Sequence, residues 1–193
     1  TFADTENGTF AGLGHAISDT DTGASISLLS GEIVPVTITD CIAGTAGAPG
    51  ELRGEFSGDE VLGTVLANQD TGVYGRLSGQ VSGTEYPVAN MQEVRTGAAQ
   101  ILTTVDGAGP KLYDVRIESV NLNASDPNRN MLIRVTDRDL LQKTGGIVQG
   151  MSGSPLIQDG MLVGAVTHVL VNDSARGYAI FAQTMLQAAD KVA

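Results

Sequence analysis

The sequence is poor in the residues that define several classes of protein. It contains one cysteine, Cys41, among 193 residues, and it contains no tryptophan. A single cysteine excludes an intrachain disulfide and a cysteine-rich metal site. Only four tyrosines and four phenylalanines are present, against 25 glycines. We therefore expect many turns and a core built mainly from valine, isoleucine and leucine.

Basic residues are scarce as well. The chain has 11 lysines and arginines against 22 aspartates and glutamates, which gives a formal net charge of −11. This balance argues against a protein that binds nucleic acid or anionic membranes. No segment approaches the roughly 18 consecutive apolar residues of a transmembrane helix, so the sequence predicts no membrane span.

The beginning of the sequence has no secretory signal, and its first residue is Thr1 rather than methionine. We expect a processed product or an excised domain, with an anchor or partner domain missing upstream.

The order of apolar segments and turns predicts a mainly β protein. Segments rich in Val, Ile, Leu and Thr alternate with turn residues, and Asp159-Gly160 is a two-residue hairpin signal. The predicted strands are Ser25–Leu29, Glu32–Thr39, Ala99–Val105, Lys111–Val120, Met131–Val135, Pro155–Gln158 and Leu162–Val171. The clearest helix is predicted at Ala182–Val192, where apolar residues recur every three or four positions. This pattern fits a β-barrel or sandwich with a terminal helix.

The stretch GMSGSP, residues 150–155, is the strongest candidate for chemistry. Its small residues favour a tight turn whose backbone N–H groups point inward while one side chain stands clear. Such a turn suits a nucleophilic serine beside an oxyanion hole. We predict Ser152 as the nucleophile and the N–H groups of Gly150 and Ser152 as oxyanion donors. Ser154 is disfavoured because Pro155 makes it extended.

A serine nucleophile needs a base, and the chain has only two histidines. His15 lies in GLGHAISDTDTG, where small residues and a charged turn favour exposure at a strand end. His168 lies inside the apolar run LVGAVTHVLVND, which favours a structural role.

A triad also needs a carboxylate that orients the imidazole. Asp137 follows a predicted strand directly, and it can serve either in a triad or as a helix cap ahead of Arg-Asp-Leu-Leu. Asp19 and Asp21 lie near His15 in sequence and compete with Asp137, or they belong to a solvated turn.

Several long stretches resemble the peptidase domain of the SpoIVB family, serine peptidases of endospore-forming bacteria. The matching stretches are GLGHAISDTDTG, GEIVPVTI, GAPGELRGEF, RVTDRDLLQKTGGIVQGMSGSPLIQDGMLVGAVTHVLVND and RGYAIFAQTML. GMSGSPLIQDGMLVGAVTH is also similar to the nucleophile hairpin of chymotrypsin-like peptidases, with which the family is grouped.

The resemblance implies a single peptidase domain, residues 1–193, folded as a chymotrypsin-like double β-barrel without metal or cofactor. It implies Ser152 as nucleophile, His15 as general base and acid, and Asp137 as the third member. The substrate-binding residues it implies are Thr144, Gly145, Gly146, Val166, Thr167, His168 and Val169.

The biology implied by the resemblance is signalling by proteolysis. Members of the resembled family carry an N-terminal anchor or signal and a PDZ domain, and we expect these to lie upstream of Thr1. They are secreted across the inner forespore membrane into the space between forespore and mother cell. There they cleave themselves and a membrane-bound regulator of an intramembrane metalloprotease, and a late sigma factor is activated.

Two other classes of function remain open on the sequence. One is a catalytically silent, peptidase-like binding module. The other is an α/β esterase, which is disfavoured because its Gly-x-Ser-x-Gly motif fails at Ser154 and a hairpin follows the serine.

Overall fold

The computed structural model describes residues 1–19 and 21–192, and β-strands dominate this part of the chain. The strands of the N-terminal half are β1 Phe2–Asp4, β2 Thr9–Gly12, β3 Glu32–Ile33, β4 Val36–Ile42, β5 Glu51–Phe56, β6 Gly63–Gln69 and β7 Gly72–Leu77. Those of the C-terminal half are β8 Gly97–Thr103, β9 Lys111–Val120, β10 Met131–Val135, β11 Pro155–Gln158, β12 Met161–Leu170 and β13 Asp173–Phe181. The helices are α1 Arg138–Thr144 and α2 Ala182–Ala189, and a 3₁₀ turn covers Pro127–Arg129.

The C-terminal half is a closed barrel in the strand order β10-β13-β12-β11-β8-β9. Strand β9 shows the alternation that forms such a barrel. Its residues Tyr113, Val115 and Ile117 alternate with polar residues and point into the core. Closure pairs every strand on both sides and leaves no long free edge. The predicted all-β, chymotrypsin-like architecture with a C-terminal helix is confirmed.

The N-terminal half is a five-stranded antiparallel sheet in the order β1-β2-β7-β6-β3, and it forms a half-barrel. One buried cluster joins this sheet to the barrel. Ala11 and Tyr74 come from the sheet, Ala165 and Ile180 come from the barrel, and Met185 comes from helix α2. The cluster fixes the end of β2 against β12.

Strands β4 and β5 form a separate hairpin that reaches over the loops of the barrel. Its tip makes four backbone hydrogen bonds to those loops, each 2.8 Å long: Gly44 N to Thr144 O, Gly47 N to Val171 O, Leu52 N to Gln149 O, and Gln149 N to Gly50 O. The hairpin therefore supports the turn that leads into Ser152.

The observed elements differ from the predicted ones mainly in the N-terminal half. Ser25–Leu29, predicted as a strand, is not one, and Leu29 is 99% exposed. The side chain of Asn68 donates to the carbonyl oxygen of Ile26 at 2.9 Å and substitutes for a neighbouring strand. Glu32–Thr39 is split between β3 and β4, and helix α2 ends at Ala189 rather than at Val192. The Asp159-Gly160 hairpin is confirmed by the pairing of Gln158 with Met161.

An ion-pair network on one face of the barrel gives a stability prediction. Glu118 on β9 accepts from Arg134 on β10 and from Arg176 on β13, each at 2.7 Å. The hydrogen bond from Arg134 is the largest cause that holds the pKa of Glu118 below its ordinary value of 4.5. A lowered pKa means that the stabilisation is present above the ordinary value and is lost as pH falls through the folded-state pKa.

We expect Glu118→Gln to lower the free energy of unfolding by about 1 kcal/mol at neutral pH, because the pairs are partly exposed. Urea unfolding at neutral and at acid pH measures this difference. In acid the wild-type chain and the variant should converge, and a difference that persists there would contradict the assignment.

Candidate active site

The turn that carries Ser152 has the backbone geometry of an anion-binding loop. Gly150 and Gly153 have φ values of 95° and 83°, which glycine adopts without strain. The N–H of Met151 donates to Val148 O and that of Ser154 donates to Met151 O. The N–H groups of Gly150 and Ser152 have no acceptor within the described residues. Two free donors beside one serine are what an oxyanion requires.

The Ser152 side chain is half-buried beside strand β12. Its hydroxyl donates to the carbonyl oxygen of Thr167 at 2.9 Å. The register of β12 against β13 shifts between Val166 and His168, so Thr167 lies in a bulge. Bulges of this kind redirect backbone and side-chain groups beside functional sites. Here the bulge presents the Thr167 carbonyl to the serine.

His15 lies just beyond the end of β2. Leu13 and Gly14 have φ values of 65° and 76°, so the chain turns sharply before the histidine. A methyl group added to Gly14 would lie 3.0 Å from Cγ2 of Thr167. A methyl group added to Gly153 would lie 2.7 Å from the backbone N of Leu13. The segments that carry His15 and Ser152 are therefore in direct contact.

The His15 ring is held in one tautomer. Its Nδ1 lies 2.8 Å from the carbonyl oxygen of Ala16, which can only accept a hydrogen bond. Nδ1 therefore carries the proton, and the lone pair is left on Nε2. A neutral imidazole with a free Nε2 is the form that can take a proton from a serine hydroxyl.

His168 is the immediate neighbour of His15, with ring centroids 5.0 Å apart. Burial, the nearby His15 and then Arg129 lower the pKa of His168, so this ring is neutral at physiological pH. Its Nδ1 is buried without a hydrogen-bond partner within the described residues. His168 therefore adds no second positive charge beside His15.

Both histidines face one cleft of about 600 Å³. Its lining residues are His15, Ala16, Ser18, Gly23, Ser25, Asp70, Ser125, Asp126, Pro127, Asn128 and His168. Asp70, which lies in the β6–β7 turn, was not among the site residues predicted from the sequence. The turn sequence Asp-Thr-Gly was a usable signal, but it has meaning only once the two flanking strands are known.

The three aspartates considered for the triad lie elsewhere. Asp137 caps helix α1: its Oδ1 accepts from Leu140 N at 3.0 Å and its Oδ2 accepts from Asp114 N at 3.3 Å. This is the helix-cap alternative, and Asp137 does not line the cleft with His15. Asp19 accepts from the hydroxyl and N–H of Thr22, which lowers the pKa of Asp19. Asp21 is exposed.

The remaining predicted residues lie in two segments, one at the end of helix α1 and one in strand β12. Thr144 ends helix α1 with its hydroxyl on Leu140 O, and Gly145 follows in the left-handed conformation with φ 70°. Gly146 packs directly on the backbone of Ser174. Val166, Thr167, His168 and Val169 form the adjacent part of β12.

Comparison with protein families decides the identity of the chain. Residues 1–186 match the family described as SpoIVB peptidase S55. The chain belongs to the SpoIVB peptidase family. It is a serine peptidase, and its substrate is a protein or peptide. No curated protein matches the chain.

Solved structures share its fold. The active form of the Rv3671c protease from M. tuberculosis superposes with a TM-score of 0.52 at 19% identity, covering 81% of this chain and 71% of that one. The HtrA-type protease AlgW with a decapeptide gives a TM-score of 0.52 at 15% identity, covering 95% of this chain and 62% of AlgW. At these identities the likeness concerns the fold alone.

Residues 1–19 and 21–192 contain no helix that is long and apolar enough to cross a membrane. They also contain no group of three or more His, Cys, Asp or Glu side chains placed to hold a metal ion.

Proposed function

We propose that this peptidase cleaves its substrate with Ser152 as nucleophile and His15 as general base and acid. The observation that carries the proposal is the contact between the two loops: the loop of His15, whose ring tautomer is fixed, packs against the turn of Ser152. The family membership supplies the reaction class, and the roles of individual residues are the proposal.

The proposed reaction begins with a protonated Ser152 hydroxyl and a His15 imidazole whose Nε2 carries a lone pair. The Ser152 hydroxyl turns from Thr167 O to His15 Nε2, which takes its proton as Oγ attacks the peptide carbonyl. The N–H groups of Gly150 and Ser152 stabilise the oxyanion. His15 then gives the proton to the leaving amine, and water releases the acyl group from Ser152 by the same steps.

The substrate would lie along β12 in extended form, next to His168 and Val169. Thr144, Gly145 and Gly146 would form the loop around the side chain before the cleaved bond. For β12 this placement is supported by the hydrogen bond from Ser152 to Thr167 O, and for the loop by the resemblance.

The proposal extends to a signalling role in sporulation. In this role the peptidase acts in the space between forespore and mother cell. It cleaves itself and a membrane-bound regulator of an intramembrane metalloprotease, and a late sigma factor is activated. Support comes from the family match over residues 1–186.

Self-cleavage gives a direct test of this function. The purified chain and its Ser152→Ala variant are stored under identical conditions, and their fragments are identified by mass. We expect fragments from the wild-type chain only, because the alanine has no nucleophilic oxygen. Identical fragment patterns would contradict self-cleavage. A late sigma-factor reporter in an endospore-forming host that carries Ser152→Ala then tests the signalling role.

A silent, peptidase-like binding module is the second candidate. One observation favours it: the Ser152 hydroxyl donates to Thr167 O rather than to the imidazole. Catalytic hydrogen bonds in proteases without substrate are often formed only on binding, so this geometry also suits an active enzyme at rest. The fold excludes the α/β esterase, because β11 and β12 follow Ser152 as a hairpin.

A further inference from the structure

The tip of the β4–β5 hairpin is hydrogen-bonded to the residue that precedes Gly150. Gln149 is held through both of its backbone groups: its N–H donates to Gly50 O and its carbonyl oxygen accepts from Leu52 N, each at 2.8 Å. Glu51 and Gln149 therefore lie opposite each other, as residues of two parallel strands do. The peptide that joins Gln149 to Gly150 is thus held from the side of the hairpin.

The orientation of this peptide decides where the Gly150 N–H points. A peptide unit is planar and trans, so its carbonyl oxygen and its N–H point in opposite directions. Because the oxygen of Gln149 points at Leu52 N, the N–H of Gly150 points away from the hairpin. It meets no acceptor within residues 1–19 and 21–192, so it is free for an oxyanion. In the reverse orientation the carbonyl oxygen would take its place and repel the oxyanion.

The turn itself does not fix this orientation. Gly150 has a φ of 95°, and glycine adopts positive and negative φ about equally well, so the peptide before it can turn over without a side-chain clash. Gln149 and Gly150 are both exposed, so burial does not hold them either. The two hydrogen bonds from the hairpin are therefore what distinguishes one orientation from the other.

The donor that aims the peptide is itself firmly placed. Leu52 pairs with Cys41 across the hairpin, and both side chains pack against the core of the barrel. A methyl group added to Gly150 would lie 3.1 Å from Cβ of Leu52, which shows how closely the two segments approach. At the same tip, Gly44 N donates to Thr144 O at 2.8 Å. The position of the Leu52 N–H thus follows from packing between the hairpin and the barrel.

We propose that the β4–β5 hairpin holds the oxyanion hole in its working form, with Leu52 as the positioning residue. The hydrogen bond from Leu52 N to Gln149 O selects the peptide orientation in which the Gly150 N–H faces the substrate. This inference rests on the proposed role of the Gly150 N–H and deepens it. Release of the hairpin from Gln149 lets the peptide turn over, and the site then loses one oxyanion donor.

Replacing one backbone amide by an ester tests the inference with the side chains unchanged. The α-hydroxy analogue of leucine at Leu52 removes the N–H that binds Gln149 O. The matched control is the same change at Gly47, whose N–H makes the hairpin's 2.8 Å hydrogen bond to Val171 O. Both variants lose one hydrogen bond between hairpin and barrel, and only the first affects the peptide before Gly150.

We expect the Leu52 ester to lower kcat by about 10- to 100-fold with little change in KM. Loss of a whole oxyanion donor costs about 10²- to 10³-fold, and one hydrogen bond shifts the peptide orientation only in part. A peptide boronate, whose boron takes the Ser152 oxygen as a tetrahedral anion, should bind more weakly by a similar factor. The Gly47 ester should keep the wild-type kcat and boronate affinity. Thermal unfolding of both variants measures any loss of stability separately.

NMR reads the peptide orientation without relying on activity. In the wild-type chain we expect a scalar coupling across the hydrogen bond, between the backbone nitrogen of Leu52 and the carbonyl carbon of Gln149. The nuclear Overhauser effect between Gln149 Hα and the Gly150 N–H depends on the orientation of their peptide. It should change in the Leu52 ester and stay the same in the Gly47 ester.

The outcomes separate this inference from the proposed function. An unchanged kcat in the Leu52 ester would overturn the inference, as would equal losses in both esters or absence of the coupling in the wild-type chain. A folded wild-type chain that neither hydrolyses peptides nor takes a fluorophosphonate label would contradict the proposed function instead. In that case the coupling and the Overhauser effect still decide whether Leu52 sets the orientation of the peptide.

Discussion

Turnover of peptide hydrolysis falls by about 10⁴- to 10⁶-fold in His15→Ala, as the proposed mechanism requires. In the proposed mechanism the imidazole takes the proton from Ser152, and the serine hydroxyl is a weak nucleophile without it. The histidine is half-buried just beyond β2, and within residues 1–19 and 21–192 its side chain makes a hydrogen bond only to the adjacent Ala16 O. The fold should therefore survive the change. Steady-state kinetics and thermal unfolding of the same preparation measure the two effects.

The double variant His15→Ala/Ser152→Ala should be no less active than either single variant, because the two residues act as one unit. His168→Gln serves as the comparison, since this ring is the other imidazole in the cleft. We expect it to change KM more than kcat, as suits a residue that lines the substrate site. The assignment of the base would be reversed if His168→Gln lost 10⁴-fold in kcat while His15→Ala retained activity.

Gly153→Ala is expected to lower kcat/KM by about 100-fold or more. Its added methyl group would lie 2.7 Å from the backbone N and 3.0 Å from Cα of Leu13, so the two segments must separate. Separation moves His15 away from Ser152, and a displacement of about 1 Å in an active site costs about 100-fold. Kinetics on a chain shown to be folded by circular dichroism measure the loss.

Gly160→Ala is the matched control for this change. Gly160 also has a positive φ, 76°, but nothing lies within 4 Å of the position of its added methyl group. Both variants carry the backbone penalty of about 1 kcal/mol for a non-glycine residue in this region. Only Gly153→Ala should lose activity. Equal losses in both variants would mean that the effect comes from backbone strain rather than from the separation of base and nucleophile.

The sequence predicts the C-terminal barrel much better than the N-terminal sheet. Strand β9 was predicted with its observed bounds because Tyr113, Val115 and Ile117 alternate with polar residues. Strand β7, GVYGRL, contains two glycines, and its burial pattern does not alternate. It is a strand because β2 and β6 pair with it on both sides. This tertiary pairing cannot be predicted from the hydrophobic pattern of the segment itself.

Some residues of the candidate site could be predicted from the sequence and others could not. The turn around Ser152 could be predicted because glycine and proline at fixed positions specify its geometry. The assignment of His15 as the base for Ser152 depended on the resemblance, since the two residues lie far apart in the sequence. Asp70 could not be found from its spacing, because its place in the cleft depends on the contact of Gly72 with Gly12. Asp137 was implied as the third member by the resemblance, with a helix cap as the alternative, and in the structure its carboxylate caps the N-terminus of helix α1.

Covalent labelling with a fluorophosphonate probe tests the central claim most directly. The wild-type chain, Ser152→Ala and His15→Ala are incubated with the probe, and any label is located by peptide mass. The account predicts label on Ser152 in the wild-type chain, and none on either variant. A well-folded wild-type chain that takes no label, or takes it on another residue such as Ser154, would contradict it.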